Sequence, residues 1–377
     1  LVPERLRDRV ADAARLIVIP SGPLGRIPMD ILLGSVNPTA EILHTQSIAQ
    51  YLDRKRVAQE RREAREASGT SVDPTAVVLG RPDYTGEPPR QPDVELAQAD
   101  PEAYQRRRRS ASSSLDAYRV MGETLTDLPG TETEARIIAA SLDRAGLEAH
   151  DDREMLLGPR ASVDELREQV ERLGPRVLHI ATHGLVGTAQ RPLESALAFT
   201  PSGDDFGFLT LGSLIRRWPG LLESRDGADG CDLVVLSACD TGWGAQTGDT
   251  EFGLAWGFML SGSTSVVASL WQVDDISTAL LMARFHEGRL GSFDQPRTIR
   301  GLTYSPGDRM ATLDALDEAK AWLRDLTREE VEGLVAEHDA SLRAAGLRGP
   351  EFAFDDAVSG SDRPYYWAAF VLFGSPE

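Results

Sequence analysis

Two reactive side chains each follow an apolar run that ends in a polar turn. His183 closes the segment VLHIATH, directly before Gly184, and Cys239 follows the run LVVLSA, directly before Asp240. In open α/β sheets, ligands bind in the crevice at the carboxyl ends of the strands. If the two runs are neighbouring strands, the imidazole and the thiol lie within reach of each other. Because an imidazole stabilises the thiolate of a nearby cysteine, this pair predicts nucleophilic catalysis at a carbonyl.

The residues beside this pair suit the remaining steps of acyl transfer. Gly184 leaves space beside a scissile carbonyl, and the backbone N–H groups of Gly184 and Cys239 are candidates for binding the oxyanion. His183 would protonate the leaving amine. A cysteine after an apolar strand is commonly a small buried side chain. The residues alone therefore leave open the alternative that Cys239 only packs in the core and does not react. His179, inside its run, is predicted to be buried structure or a contact behind the site, and Cys231, before its run, to lie at the wrong edge.

The elements that must position these residues are visible as seven short apolar runs. The runs lie at 16–20, 76–80, 177–182, 196–200, 233–238, 265–270 and 368–374. They are rich in Val, Ile and Leu and bounded by turn residues, which predicts strands covered on both faces. Amphipathic stretches at 131–146 and 162–174 open with residues typical of helix starts. Strand alternating with helix predicts an α/β fold with a mainly parallel sheet and helices on both sides.

The composition of the chain argues against some classes of binding partner. The chain has 377 residues with 40 basic and 59 acidic side chains, for a net charge of −19. This charge repels phosphate backbones and anionic lipids, so we expect no nucleic acid and no membrane partner. Two cysteines cannot form a disulfide framework, and a cytoplasmic location is expected. No leader or bilayer-spanning window is visible, and the leucine at position 1 predicts a piece of a longer chain.

Two other kinds of site fit the sequence less well. GWGAQTG at 242–248 follows a strand, but its spacing is not the dinucleotide fingerprint, and the chain has no phosphate-loop G-K-[ST]. HEGRL at 286–290 begins like the helix of a zinc protease, but Leu290 stands where the second His belongs. A nucleotide-binding α/β domain remains an alternative, and no metal or other cofactor is expected.

Seven motifs in order along nearly the whole chain resemble the CHAT family, caspase-like proteases associated with tetratricopeptide repeats and related to separase. They are LIVIPSGPLGRIPMDIL, LPGTETEARIIA, VLHIATHG, PLESALAF, LVVLSACDTG, FGLAWGFMLSGSTSVVASLWQVDD and PYYWAAFVLFG. The 56 residues from His183 to Cys239 also fit the caspase-like order of His before Cys. The resemblance implies a cysteine endopeptidase of the caspase-hemoglobinase fold, a three-layer sandwich, with its dyad at His183 and Cys239. No third residue that orients His183 can be identified, and a backbone carbonyl would suffice.

The resemblance also implies two caspase-like halves. The first, at 1–125, lacks the dyad and contains a Pro-, Ser- and charge-rich segment at about 81–115 that reads as a mobile insertion. The second, at 126–377, is catalytic. Besides a protein substrate, the implied partner is a regulatory tetratricopeptide-repeat region or activator protein, and the implied role is bacterial (including antiviral) defence or regulated cell death. The main alternative is an interaction module that keeps the fold without activity.

Specificity is implied by LWQVDD at 270–275, which is similar to the separase segment whose acidic residue lines a pocket for a basic side chain. Asp275 is the better match, with Asp274 beside it, and a carboxylate there would pair with Arg or Lys. The implied cleavage is therefore after a basic residue. The alternative is that Asp274 and Asp275 cap the helix that follows, and one Asp can do each.

Overall fold

The computed structural model describes residues 2–19, 22–68, 75–84, 125–144, 155–188, 190–203, 205–225, 229–238, 241–242, 245–247, 250–344 and 363–376. Two sequence predictions fall outside these described residues. One concerns Cys239, and the other concerns positions 85–115 of the predicted insertion.

Fifteen strands form within the described residues. In chain order they are β1 (Arg15–Val18), β2 (Glu41–His44), β3 (Ala76–Pro82), β4 (Met155–Gly158), β5 (Val177–Ala181), β6 (Gly184–Leu185), β7 (Ala196–Ala198), β8 (Phe208–Thr210), β9 (Leu233–Ser237), β10 (Ala245–Thr247), β11 (Thr250–Phe252), β12 (Ser265–Ser269), β13 (Arg297–Ile299), β14 (Leu302–Tyr304) and β15 (Phe370–Gly374).

Eleven α-helices accompany the strands in the same described residues. They are α1 (Glu4–Ala11), α2 (Met29–Gly34), α3 (Ile48–Ser68), α4 (Pro129–Arg144), α5 (Val163–Leu173), α6 (Leu211–Arg217), α7 (Leu254–Leu260), α8 (Asp275–Leu290), α9 (Thr312–Asp325), α10 (Arg328–Ala344) and α11 (Pro364–Trp367). None of these helices is both long enough and apolar enough to cross a membrane.

Eight strands form one central sheet in the order β1-β2-β15-β12-β9-β5-β3-β4. Every neighbouring pair is parallel except β12 with β15. Strands β3, β4, β5, β9 and β12 therefore run one way, and β1, β2 and β15 run the other way. The carboxyl ends of β3, β5, β9 and β12 meet at one edge of the sheet, after Pro82, Ala181, Ser237 and Ser269, and we call this the carboxyl edge.

Helices cover both faces of the sheet. Along β9, Leu233 and Val235 enter the core shared with α4, α8 and α9, whereas Val234 and Leu236 enter the core shared with α5, α6 and α7. This alternation follows from the two-residue period of a strand. The predicted α/β three-layer sandwich with a mainly parallel sheet is confirmed.

The seven apolar runs all become strands. Six lie in the central sheet, and the run at 196–200 forms β7 of a small antiparallel sheet, β6-β7-β8. The short strands β2 and β4, which no apolar run predicted, complete the central sheet. Strands from 1–125 and from 126–377 share this sheet, and the division into two halves stays a prediction.

Two predicted helices differ in how well their ends were located. Helix α5 begins as predicted at Ser162, whose hydroxyl accepts a hydrogen bond from the N–H of Glu165 at 3.2 Å. It ends at Gly174, which takes the left-handed conformation that favours glycine. Helix α4 begins at Pro129, two residues before the predicted start, because proline is favoured in a first turn.

Gly80 sets how closely β3 approaches α4. A Cβ at this position would lie 2.4 Å from the carbonyl oxygen of Thr131 and 3.0 Å from the Cβ of Ala135. Gly80→Ala should therefore lower the free energy of unfolding by about 1–3 kcal/mol, as overpacking does. The control is Gly34→Ala in α2, where a Cβ would meet nothing within 4 Å. Urea denaturation measures both, and equal effects would contradict the close approach.

Candidate active site

His183 stands at the carboxyl edge, beside the end of a neighbouring strand. β5 and β9 pair in parallel with Ala181 opposite Ser237. The N–H of Thr182 continues the ladder to the carbonyl of Ser237 at 3.2 Å. The two apolar runs that carry the predicted dyad are therefore adjacent strands that end together.

The ring of His183 is oriented by a backbone carbonyl. Its Nε2 lies 2.8 Å from the carbonyl oxygen of Thr126. Because a carbonyl can only accept, Nε2 carries the proton, and in the neutral ring Nδ1 keeps the lone pair. The ring of Tyr84 packs against it, with centroids 5.2 Å apart. Tyr84 is held in turn by Thr182, whose hydroxyl accepts from the Tyr84 hydroxyl at 2.8 Å.

A cavity of about 120 Å³ opens beside this histidine. Its lining consists of Thr126, Leu128, Gly130, Thr131, Glu134, Thr182, His183, Ser237, Ala238, Gln272, Val273, Asp275 and Thr278. The Ser237 hydroxyl is buried and has no hydrogen-bond partner among the described residues. Ala238 belongs to the lining and directly precedes Cys239 in the sequence, so the predicted nucleophile is the next residue after the cavity wall.

The described residues on both sides of positions 239–240 are tied to the end of β12. The hydroxyl of Thr241 lies 3.1 Å from the carbonyl oxygen of Ala238 and accepts from the N–H of Ser269 at 3.3 Å. The N–H of Gly242 donates to the carbonyl of Ser269 at 2.7 Å. The turn after β9 is therefore anchored before and after the two positions that lie outside the described residues.

Two carboxylates face the cavity, one from each of two helices. Asp275, in the first turn of α8, and Glu134, in α4, both belong to the lining. Burial, together with the negative charges of Asp274 and Glu134, raises the pKa of Asp275 to about 6. Among the described lining residues none is Lys or Arg. The cavity is therefore suited to a cation.

Asp274 does not belong to this lining. Its carboxylate accepts a hydrogen bond from the N–H of Ser277 at 2.9 Å and caps α8. The two aspartates thus take different positions: Asp274 caps the N-terminus of α8, and Asp275 faces the cavity. Whether Asp275 selects a substrate side chain stays a prediction.

Glu134 is supported from behind by two buried histidines. Its Oε1 lies 2.8 Å from Nε2 of His179, and Nδ1 of His179 lies 3.3 Å from Nε2 of His286. Burial lowers the pKa of His286 well below its usual value, so that ring is neutral. Because a carboxylate accepts, Nε2–H of His179 donates to Glu134. His179 is thus buried structure behind the site.

Gly184 and Cys231 differ in what they can contribute. Gly184 of β6 lies opposite Leu197 of β7, and the N–H of Ala198 bonds the carbonyl of His183 at 3.0 Å. In this antiparallel pattern the Gly184 N–H points away from β7, and the ladder does not use it. Cys231 is buried before β9, and burial raises the pKa of its thiol to about 12. Cys231 is therefore not an available nucleophile.

Sequence reasoning missed three contributors to the site. The carbonyl of Thr126 leaves no side-chain signature. Tyr84 lies inside the predicted insertion at about 81–115, whose first two residues belong to β3 instead. Glu134 could have been found, because it stands at i−4 and i−8 from Ile138 and Leu142, on the apolar face of α4. A carboxylate on such a face indicates a buried partner or a site.

The described residues contain no group of three or more His, Cys, Asp and Glu side chains that could hold a metal ion. The site as described therefore consists of a histidine, an acidic cavity and the backbone groups around them.

Comparison with known proteins gives one family match and several similar structures. The CHAT domain family matches residues 1–375. No curated protein matches the chain. Among solved structures, the chain is similar to the Saccharomyces cerevisiae separase–securin complex, at 10% identity and a TM-score of 0.43. That similarity covers 96% of this chain but only 16% of the yeast chain.

Two further solved structures are similar over the full length of this chain. One is the Arg-specific cysteine proteinase gingipain R, at 9% identity and a TM-score of 0.47, with 100% of this chain and 68% of that chain covered. The other is the complex of Porphyromonas gingivalis RgpB pro- and mature domains, at 11% identity and a TM-score of 0.46. It covers 100% of this chain and 69% of that chain.

The anchored turn after β9 can be tested at Thr241, which is fully buried. Thr241→Val keeps the shape but removes the hydroxyl that Ser269 and Ala238 contact, so the free energy of unfolding should fall by about 1–3 kcal/mol. The control is Thr298→Val, which removes an exposed hydroxyl 3.0 Å from Thr303. Denaturant titration compares the two, and an equal loss would show that the buried contacts do not hold the turn.

Proposed function

The chain belongs to the CHAT domain family, and on that basis we propose that it is a cysteine endopeptidase with Cys239 as nucleophile and His183 as base. One observation carries the proposal. The Thr126 carbonyl holds Nε2 of His183, which leaves Nδ1 as the basic nitrogen beside the strand end that leads into Cys239. A histidine oriented this way is suited to proton transfer.

The proposed reaction has two steps. Nδ1 of His183 takes the thiol proton of Cys239, and the thiolate adds to the scissile carbonyl. The C–N bond breaks as His183 returns the proton to the leaving amine, which leaves a thioester. Water then adds to the thioester with His183 again accepting the proton, and the acid product and the free thiol are released. No cofactor is needed for this sequence.

Backbone N–H groups are the proposed stabilisers of the tetrahedral intermediates. The N–H of Gly184, which the β6–β7 ladder leaves unused, is one donor, and the N–H of Cys239 is the other. Donors fixed in a partly closed site stabilise developing negative charge more than water does, because they need no reorganisation.

The acidic cavity supports cleavage after a basic residue. Asp275 and Glu134 bring two carboxylates to the same small space beside His183. Glu134 already pairs with His179, whereas burial and neighbouring negative charge disfavour ionised Asp275. A guanidinium or ammonium group entering the cavity would relieve that cost and pair with Asp275. We therefore extend the proposal to Arg, and to Lys, at the residue before the cleaved bond.

The wider setting follows from the family. We propose a protein substrate, activation by a tetratricopeptide-repeat region or a partner protein, and a role in cytoplasmic bacterial defence or regulated cell death. The competing function is an interaction module with the same fold and no turnover. Thiol labelling separates these two functions.

A peptide probe with Arg before a thiol-reactive ketone should label the chain in the presence of its activating partner. Labelling should be lost in Cys239→Ala and fall at least a hundredfold in His183→Ala, because the thiol is then not deprotonated. Cys231→Ala is the control and should label normally, since that thiol is buried with a raised pKa. Mass spectrometry locates the adduct. Labelling that survives Cys239→Ala, or is absent from the activated wild type, would support the interaction module.

The pH dependence of specificity tests Asp275. Two peptides are compared, one with Arg and one with its uncharged analogue citrulline before the cleaved bond. All other ionisations of enzyme and peptide affect both equally, so the ratio of the two kcat/KM values reports the ionisation of the Asp275 carboxyl. With the pKa of Asp275 near 6, the carboxylate forms as pH rises. The ratio should therefore rise up to about tenfold per pH unit below pH 6 and level off above pH 7.

Two neighbouring variants sharpen the same measurement. Asp275→Asn should give a low ratio that does not change with pH. Asp274→Asn should keep the high ratio above pH 7, because Asn also caps helices well, but its rise should move to lower pH, because the charge of Asp274 that raises the pKa of Asp275 is removed. A collapse of the ratio in Asp274→Asn with no effect of Asp275→Asn would reverse the two assignments.

A further inference from the structure

Arg81 takes an unusual backbone conformation near the carboxyl edge. It lies in β3, where the register with β4 shifts between Gly80 and Pro82. Its φ is +40°, in the left-handed region that a residue with a Cβ rarely adopts. Strain of this kind persists only where the surroundings enforce it, and it is common at functional sites. A glycine would relieve the strain, so the arginine side chain needs another explanation.

The side chain of Arg81 is committed to two carboxylates. Its Nε and Nη2 donate to the two oxygens of Asp127 at 3.0 and 2.8 Å, the bidentate arrangement that fixes orientation best. Its Nη1 donates to Glu132, in the first turn of α4, at 2.7 Å. The hydrogen bonds from Arg81 lower the pKa of the Asp127 carboxyl, and this effect outweighs burial, which raises that pKa.

Asp127 is the residue after Thr126, whose carbonyl orients His183. The 125–128 segment enters α4, and its last carbonyl, that of Leu128, accepts from the N–H of Thr131 at 3.1 Å. The Arg81–Asp127 contact therefore holds the residue next to Thr126, whose carbonyl oxygen lies 2.8 Å from Nε2 of His183. A shift of Asp127 would move that carbonyl with it.

Stability is a poor explanation for this pair. The side chains of Arg81 and Asp127 are 42% and 57% exposed, and exposed ion pairs contribute little to folding. The left-handed backbone of Arg81 is itself unfavourable. A glycine at position 81 would therefore favour the stability of the fold. It would not orient the 125–128 segment, because it has no side chain to contact Asp127.

We propose that Arg81 and Asp127 are a positioning pair that holds the Thr126 carbonyl against His183. The consequence for turnover rests on the proposed peptidase function, but the effect on the imidazole does not. Neither residue touches the reacting atoms. Substrate binding by Arg81 is the competing explanation, since Arg81, Tyr84 and Asp127 also line a separate cavity of about 500 Å³.

The first test measures turnover and stability together. Arg81→Gly removes the side chain and the strain, so Tm should stay equal or rise while kcat falls about tenfold and KM changes less than twofold. Asp127→Asn should lower kcat to a similar degree. In Arg81→Asp/Asp127→Arg the pair is restored in reverse, and aspartate tolerates the left-handed region, so kcat should partly recover. A rise in KM with unchanged kcat would overturn the proposal in favour of substrate binding.

Two control variants isolate the pair. Arg167→Ala removes a comparably exposed ion pair, with Glu171 on α5 at 2.8 Å, and should leave kcat unchanged. Glu132→Gln leaves the Arg81–Asp127 contact in place, weakens the contacts of Glu132 with Arg81 and with Arg136 at the start of α4, and should also keep most activity. If Glu132→Gln reproduces the full loss seen in Arg81→Gly, the role of Arg81 is to anchor the helix and the proposal fails.

The second test does not depend on peptidase activity. With ¹⁵N-labelled histidine, the Nε2–H of His183 should give an NMR signal protected from water exchange, assigned by its absence in His183→Ala. The signal should broaden or vanish in Arg81→Gly and Asp127→Asn, and persist in Arg167→Ala. A signal that persists in both pair variants would overturn the positioning role even in an active enzyme. An inactive wild type that shows the expected NMR losses would instead count against the proposed peptidase function alone.

Discussion

The parallel pairing of β5 with β9 is the constraint on which the site depends. Both strands are buried on both faces, so their register is determined by two cores at once. A slip of one residue would send Leu233 and Val235 to the core that now holds Val234 and Leu236. The observed register brings Ala181 opposite Ser237, and the segments that follow these residues begin side by side. Apolar burial far from the edge thus decides where the polar turns meet.

The two carboxylates at that edge are unfavourable to bury, and the structure compensates the charge of one but not of the other. Glu134 has a buried histidine within 2.8 Å, and a second ring stands behind it. Asp275 has no such partner among the described residues, and its pKa is raised to about 6. A desolvated carboxylate without a partner favours a cation that arrives from outside. Because the charge of Glu134 is compensated within the protein and that of Asp275 is not, the cavity keeps a carboxylate that a bound cation can pair with.

The fold could be predicted from the sequence to a greater extent than the site. Buried parallel strands leave continuous apolar runs, and the caps of α5 leave Ser162 and Gly174, because these features act over a few residues. The α/β class followed from such signals, whereas the CHAT family was indicated by the resemblance of seven motifs along the chain. The short strands β2 and β4 did not follow from such signals, since their consecutive apolar residues number only two and three.

Part of the site, namely the residues that surround His183 and Asp275, escaped prediction for a different reason. The Thr126 carbonyl is a backbone group that every residue type provides, and its contact with His183 spans 57 positions in the chain. Glu134 and Asp275 meet only because α4 and α8 pack on the same face of the sheet. Local rules nevertheless fail where these contacts form: Ser237 has a buried hydroxyl without a described partner, and Arg81 has a positive φ. Such failures are expected where function outweighs local stability, and these two lie at the carboxyl edge. At this edge the departures lie beside the groups that surround His183, so the contacts that build the site and the local preferences of the chain oppose each other there.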